Sequence, residues 1–397
     1  MSWKSVALGD VCSIINGGTP KSEVADYWGG ELNWITPKEM GKLKSREISV
    51  TERKITDKGI KNSSAKLLPI NSVILSSRAP IGHLAINKSL MATNQGCKGL
   101  VPFEALNYEY LYYFLSYSKQ LLNDMGSGAT FKELSSSKLA TVEIPLPPLS
   151  IQKEIVSKLD AIFIEIEKAI VATDANAKNA EALFQSLLSE VLTENKHKNK
   201  ELTLDDVCDL ITCGVAKRPE YVDSGIPFLS AKNVKKQKII WNDYQFVSVA
   251  THSELTKHNK PLKGDILYTR VGSYGEAAII DKDCEFSIFV SLTLIKPKTE
   301  IVTNKFLVYF LNSAQTKALA SRSISGSGVG NLNVGTVRKF IINLPSIKEQ
   351  GEIVKKLDSI KANCDSLANS YRRKYQSLCL YKESILKKAF NGELIKE

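Results

Sequence analysis

Long apolar runs are missing from this 397-residue chain. The densest stretch, Phe306 to Leu311, falls far short of the roughly 20 residues a membrane-spanning helix needs. Cysteine is sparse: seven residues, an odd number without framework spacing, argue against a disulfide scaffold and fit a reducing compartment. Catalytic signatures are missing as well. There is no Gly-x-x-x-x-Gly-Lys-Ser/Thr loop for nucleotide phosphates and no Asn/Asp-Pro-Pro-aromatic motif of a methyl-transfer site. Glu52-Arg53-Lys54 supplies a Glu-x-Lys, but no Pro-Asp precedes it to complete a metal-binding nuclease cluster. Gly326-Ser327-Gly328-Val329-Gly330 looks like a nucleotide loop only in isolation, and a lone loop of that kind is a weak signal. Cys208, Cys213, His252 and His258 imitate zinc-ligand spacing within each pair, yet the gap between pairs is far longer than in a finger, and no metal is expected. Met1-Ser2-Trp3-Lys4 opens directly into the first repeat described below, which leaves no room for a signal peptide and makes the cytoplasm the expected location.

What is present is basic and duplicated. The formal net charge is +11, which favours a polyanionic partner. Residues 1–148 carry 17 Lys/Arg against 13 Asp/Glu, and residues 201–345 carry 18 against 14. Residues 149–200 carry 7 against 8, whereas residues 346–397 carry 11 against 7. That contrast favours pairing between the last two regions, although each exposed ion pair is weak.

The repeat runs through the whole chain. Ile144-Pro145-Leu146-Pro147-Pro148-Leu149-Ser150-Ile151-Gln152-Lys153-Glu154-Ile155 returns as Ile342-Asn343-Leu344-Pro345-Ser346-Ile347-Lys348-Glu349-Gln350-Gly351-Glu352-Ile353. Leu8-Gly9-Asp10-Val11-Cys12 returns as Leu204-Asp205-Asp206-Val207-Cys208, with Gly17 standing where the second copy has Cys213. Trp34-Ile35-Thr36-Pro37-Lys38 aligns with Phe228-Leu229-Ser230-Ala231-Lys232, and Ile74-Leu75-Ser76-Ser77-Arg78 with Ile266-Leu267-Tyr268-Thr269-Arg270. Gly126-Ser127-Gly128 matches Gly326-Ser327-Gly328. Self-similarity on this scale fixes the architecture before any motif is weighed.

Within each copy, short apolar runs alternate with Gly, Pro, Asn and Ser, the punctuation of strands and turns. Tyr108 to Lys119 and Thr303 to Leu319 have helical periodicity. Each copy therefore reads as an α+β domain, over 1–148 and 201–345. The stretches 149–195 and 346–397 read as long helices, with 196–200 as a solvated linker. Their apolar residues alternate in steps of four and three: Ile155, Leu159, Ile162, Ile166, Leu183 and Leu187 in the first, and Ile353, Leu357, Ile360, Leu367, Leu378 and Ile385 in the second. Both seams turn polar midway, at Thr173/Asn176 and Tyr371/Lys374. This is a heptad pattern. The expected fold class is α+β: two similar domains separated by an antiparallel pair of long coiled-coil helices, with an internal pseudo-twofold repeat.

In this arrangement the chain resembles the specificity (DNA-recognition) subunit of type I restriction–modification systems along essentially its full length. The resemblance is carried by the proline-rich stretch before Gln152-Lys153-Glu154-Ile155, its repeat at Glu349-Gln350-Gly351-Glu352-Ile353, the paired Gly-Ser-Gly segments, and the tail Ser384-Ile385-Leu386-Lys387-Lys388-Ala389-Phe390-Asn391-Gly392-Glu393-Leu394. The first copy departs from it, with Ser189-Glu190-Val191-Leu192 in place of Lys387-Lys388-Ala389-Phe390 and no Asn-Gly-Glu-Leu ending. The resemblance implies two target-recognition domains, each reading half of a bipartite double-stranded DNA target. It implies helices that set the gap and dock two methyltransferase subunits, with restriction (translocase/nuclease) subunits joining the complex. Catalysis is then borrowed: no cofactor belongs to this chain, and S-adenosylmethionine is expected on the methyltransferase partners. The rival readings are an autonomous DNA-modifying or cleaving enzyme and a coiled-coil assembly protein without a nucleic-acid role.

Base discrimination needs side chains with two donors, or a donor beside an acceptor. Arg78 and Arg270 are expected at one repeat position, just after a strand and before Gly-rich turns. Lys38 and Lys232 follow a second matched strand, with Asn233 beside the latter, and Thr36, Ser77, Ser230 and Thr269 offer hydroxyls from the same loops. Gly128, Thr130 and Lys132 in one copy and Ser327 in the other belong to turns that allow close approach of a phosphate. Lys217, Arg218 and Tyr274 are unmatched between copies, as residues reading different bases should be.

Overall fold

A computed structural model describes residues 3–78, 80–128, 132–194, 200–235, 237–272, 274–323 and 330–395. The chain divides into two units, Met1–Thr173 with Arg373–Glu397, and Asp174–Arg372. Two helices, Leu149–Thr193 and Ile347–Phe390, contribute one end to each unit. No described helix is long and apolar enough to cross a membrane.

In the first unit, Ser5–Ala7 pairs antiparallel with Glu143–Pro145. A five-stranded sheet follows in the order Cys12–Asn16, Cys97–Pro102, Val73–Ser76, Leu84–Asn87, Glu47–Ile48. Its central strand, Val-Ile-Leu-Ser, is buried at every position, so it reads as a continuous apolar run and not as an alternation. A smaller sheet holds Lys54–Ile55, Trp28–Ile35 and Met91–Thr93. Helix Tyr108–Tyr117 is started by Asn107, whose side chain accepts from the amides of Glu109 and Tyr110. It buries Tyr110, Leu111, Phe114 and Leu115, the spacing of one helical face.

The second unit repeats the plan. Lys200–Thr203 pairs with Ile341–Leu344. A four-stranded sheet runs Cys208–Cys213, Leu292–Pro297, Ile266–Thr269, Ala277–Ile279, and a smaller one holds Gln245–Val247, Ile226–Leu229 and Ser287–Ile288. Helix Asn304–Leu311 answers Tyr108–Tyr117.

Each long helix is tied to its body by the same device. Gln152, fully buried, donates from Nε2 to Ala105 O (2.9 Å) and Pro147 O (2.8 Å) and accepts from Asn107 N (2.8 Å). Gln350 donates to Ile301 O (2.9 Å) and Pro345 O (3.0 Å) and accepts from Thr303 N (2.8 Å). Further along, Tyr113 donates to Asp160, which also receives Arg46 (2.5 and 3.1 Å). In the other unit Tyr309 donates to Asp358 at 2.7 Å, beside Lys305 at 2.5 Å. Burial acts to raise the Asp358 pKa, but the hydrogen bonds from Lys305 and Tyr309 outweigh it and hold the carboxyl below its ordinary range. A depressed folded-state value stabilises above the unfolded pKa, so this anchor weakens only as pH falls through the depressed value.

The two helices pair antiparallel. Glu167 meets Lys382 and Glu181 meets Arg372, while Glu194 meets Lys356 at 3.0 Å. Acid lies on the first helix and base on the second, as the segment charges foreshadow. In the first unit Ile155, Leu159, Phe163 and Ile166 share a core with Ile385, Leu386, Ala389 and Phe390. In the second, Phe184, Leu188 and Val191 pack with Leu357 and Cys364. Ile162, Ile353 and Ile360 are half-buried against these cores, and Leu187 and Leu378 are half-buried.

The seam departs from the sequence reading at two points. Leu183 and Leu367 are 47% and 43% exposed, and Phe184 and Ala368 hold the buried positions one residue later. A strict seven-residue template drifts by about 20° per heptad against a straight helix. For Leu183, four heptads from Ile155, that displacement approaches one residue. Leu188→Ala is therefore expected to cost about 2–5 kcal/mol, and Leu183→Ala less than about 0.5 kcal/mol, in chemical denaturation of the purified chain. Gln152→Leu is expected to cost about 3 kcal/mol or more, because it leaves a buried amide and two carbonyls without partners.

Candidate nucleic-acid interface

Five segments of the first unit meet at one end of its sheets. Gly17 N donates to Cys97 O (3.1 Å) and Gly18 N to Thr93 O (2.8 Å). Only glycine allows this approach at position 17, since a Cβ there would stand 2.0 Å from Asn94 O. Asn94 N reaches Ile35 O (2.9 Å), Ser77 N reaches Gly96 O (2.8 Å), and Leu134 N reaches Ser77 O (2.9 Å). Ser127 and Glu133 exchange backbone hydrogen bonds at 3.1 and 2.9 Å.

The second unit builds the same end. Gly214 N donates to Leu292 O (3.1 Å), Phe289 N to Leu229 O (2.9 Å), Arg270 N to Ser291 O (3.0 Å), and Leu332 N to Arg270 O (2.9 Å).

These hydrogen bonds correct the sequence alignment. Leu75 pairs with Leu84 and Tyr268 with Ala277. Gly82 N reaches Ser76 O as Gly275 N reaches Thr269 O. Ser77 is therefore the counterpart of Arg270, and Arg78 of Val271, one residue off the sequence match. Because strand side chains alternate, a slip of one residue reverses the face. Arg270 is only 7% exposed. Its guanidinium donates to Leu332 O (2.8 Å), Val290 O (3.2 Å) and Asn331 Oδ1 (3.0 Å), so Arg270 ties loops together and is turned inward, where the sequence reading expected an outward residue. A similar slip, caused by a bulge between Cys208 and Leu210, pairs Gly17 with Gly214 and not with Cys213. Cys208 is buried, its thiol pushed up to about 12. Among the described residues no three His, Cys, Asp or Glu side chains gather to hold a metal.

Other candidates turn inward too. Thr269 is buried and accepts from Glu276 N (2.9 Å). Asn233 is buried, accepting from Ser230 N and donating to Ile240 O and Asn242 O. Ser77 is buried, its hydroxyl without a hydrogen-bond partner among the described residues. Thr36 caps the short helix Pro37–Met40 by accepting from Glu39 N, and Ser230 shares a capping box with Asn233. The hydroxyl and amide groups that suit these small polar residues to base and phosphate contacts are also what turns and caps need.

The outward residues are mostly cationic. Lys38, Lys132, Lys217 and Arg218 are exposed, Arg218 lying 5.9 Å from the Phe289 ring centre. Lys232 pairs with Asp243 at 3.0 Å. Arg78, its side chain 35% exposed, passes over Gly96 and comes within 3.9 Å of Glu133. Tyr274 is half-buried and Gly128 has φ +129°. Thr130, Ser327 and most of the 196–200 linker lie outside the described residues. At the same end lie Thr19, Asn94, Gln95 and Lys98, which the sequence reading does not single out. Lys98 is buried beside Asn16 Oδ1 (2.7 Å), and burial lowers its pKa, with Arg78 acting in the same direction against Glu133. The sequence signal is the polar run Asn94-Gln95-Gly96 directly after the strand Met91–Thr93.

Arg270→Ala is expected to lower the unfolding transition by about 3 kcal/mol or more, the cost of severing a buried charged tie. Arg78→Ala should stay within about 1 kcal/mol. Thermal denaturation of the two variants checks the contrast.

The sequence matches the type I restriction modification DNA specificity domain twice, over residues 1–173 and 196–373. It is 34% identical over 209 residues to the type I restriction enzyme MjaIX specificity subunit of Methanocaldococcus jannaschii, covering 52% of this chain and 48% of that relative, so the match spans about half the relative's length. It is 23% identical to the EcoKI specificity subunit of Escherichia coli, over 99% of this chain and 89% of the relative. The fold is shared with a chain solved in work on complex assembly and conformational transition of the type I R-M system (TM-score 0.77, 20% identity, 99% and 98% covered). It is shared also with the HsdS subunit from Thermoanaerobacter tengcongensis (TM-score 0.56, 19% identity, 99% and 97% covered). With both copies of the repeat matched, the chain belongs to the type I restriction modification DNA specificity family.

Proposed function

We propose that this chain is the sequence-reading subunit of a type I restriction–modification complex, each unit reading one half of a bipartite double-stranded DNA target. The observation that carries this reading is the duplicated strand-end surface, with Lys38, Arg78 and Lys132 turned outward in one unit and Lys217, Arg218 and Lys232 in the other. Cations of this kind supply most of the affinity through phosphates and make it salt-dependent, while base-edge contacts supply discrimination.

The 45-residue helix Leu149–Thr193, about 68 Å at 1.5 Å per residue, and its antiparallel partner set the gap between the half-sites. They also dock two methyltransferase subunits, which bring S-adenosylmethionine; restriction subunits join through the assembled complex. Docking is supported by an apolar groove of about 460 Å³ in the first unit, lined by Ala161, Ile162, Glu165, Ile166, Ala169, Leu378 and Tyr381. Exposed Ile164, Val171 and Leu380 belong to the same two helix segments. This chain itself performs no catalysis.

The test uses the chain assembled with its methyltransferase partners. Inserting four residues at matched points in both helices lengthens each by about 6 Å and is expected to widen the accepted gap by about one or two base pairs, read by labelled methyl transfer to targets of graded spacing. An unchanged gap would sink the ruler. Retention on DNA should fall steeply with salt, and a salt-insensitive complex would favour an assembly protein. The chain alone should transfer no label.

A further inference from the structure

Gln95 sits exposed at the tip joining Met91–Thr93 to Cys97–Pro102, at the end of the first unit where the five segments meet. Its orientation is dictated from the backbone outward. Gly96 N donates to Asn94 Oδ1 at 2.9 Å, which fixes the oxygen side of the Asn94 amide. The nitrogen side must then face the other way, and Asn94 Nδ2 donates to Gln95 Oε1 (2.9 Å) and to Thr19 Oγ1 (2.8 Å). The Thr19 hydroxyl, having accepted from Asn94, donates in turn to the same Gln95 oxygen. That carbonyl is thereby turned inward, onto Asn94 and Thr19. What remains for an outside partner is the Nε2 amide, two N–H donors and no acceptor.

We propose, on the assumption that this end of the first unit faces DNA, that Gln95 is a specificity-determining residue reading a guanine in the major groove. A freely turning glutamine pairs with adenine, offering a donor to N7 and an acceptor to the N6 amino group. Gln95 cannot offer the acceptor. Guanine alone presents two neighbouring acceptors, N7 and O6, which suit a pure donor. Arg78 crosses directly beside this tip, over Gly96. Asn94 and Thr19 are positioning residues that keep the amide turned. The second unit differs at this point. Phe289 N reaches Leu229 O as Asn94 N reaches Ile35 O, which makes Val290 the counterpart of Gln95. Valine has no donor, so the two units read different chemistry from the same tip.

The experiment incubates the full chain, assembled with its methyltransferase partners, with a DNA library randomised across both half-sites, and sequences the bound fraction. Gln95→Ala is expected to lose about five- to thirtyfold preference for guanine at one position of one half-site, the range for about 1–2 kcal/mol of base readout. The other half-site and the salt dependence should stay unchanged. Gln95→Glu replaces donors by acceptors, and the same position should move to cytosine, whose N4 amino group donates. Asn94→Asp, which removes the donor holding the amide, should turn Gln95 over and move the preference in the same direction without itself touching a base.

Equal weakening across all sequences would make Gln95 a phosphate contact and overturn the proposal, as would an unchanged base at every position or a wild-type preference there for a base other than guanine. A wild-type complex that enriches no sequence at all would instead bring down the DNA-reading assignment, and Gln95 with it.

Discussion

Two buried glutamines hold this molecule to its plan. An amide carries two donors and two acceptor sites without a formal charge, so it can bridge several backbone groups in the interior without the desolvation cost of an ion. Gln152 and Gln350 each join three pieces of chain: the first turn of a long helix, the segment just before it, and the cap of the helix that covers the sheet. The second tie, Tyr113 to Asp160 or Tyr309 to Asp358, lies further along the same helix. Two fixed points define a direction, which is what separates a directed strut from a helix that merely begins at a domain edge. The ions around the second tie are not kept: Arg46 and Glu109 in one unit give way to Lys305 in the other. In both units the aspartate receives a tyrosine hydroxyl and one cation, and only the identity of that cation changes.

The duplication, the α+β bodies and the long paired helices were legible because each rests on a pattern of many residues: a collinear repeat, alternating or continuous apolar runs, and a stripe sustained over tens of positions. What was not legible depends on single residues. A bulge at Cys208/Leu210 is one extra residue with no compositional mark. Arg78 and Arg270 share a residue type but not a position, because the strand register sets Ser77 and not Arg78 against Arg270. Leu183 and Leu188 are the same residue type, and only the accumulated angle along the helix sends one to water and the other to the core.

The candidate interface follows the same division. Its backbone frame, the hydrogen bonds that gather five segments at the sheet ends, is common to both units. Its side chains are not: the position of Gln95 in one unit is held by Val290 in the other, and that of Arg78 by Val271. Small polar residues that looked available for recognition, among them Asn233 and Thr269, are occupied in holding the frame. The frame and the exposed side chains thus come from different residues of one short stretch of chain, so the exposed ones can vary while the frame stays put.

The single-residue offset between the two strand endings has a bearing on any attempt to recombine the halves. A splice guided by the matching arginines would join the segments out of phase. Every transplanted side chain beyond the junction would emerge on the reverse of the ribbon, with Arg270 thrust into solvent and its neighbour turned into the packed interior. A chimera spliced by hydrogen-bond partner, Ser77 onto Arg270, would keep both surfaces in place while sharing almost no letters at the seam.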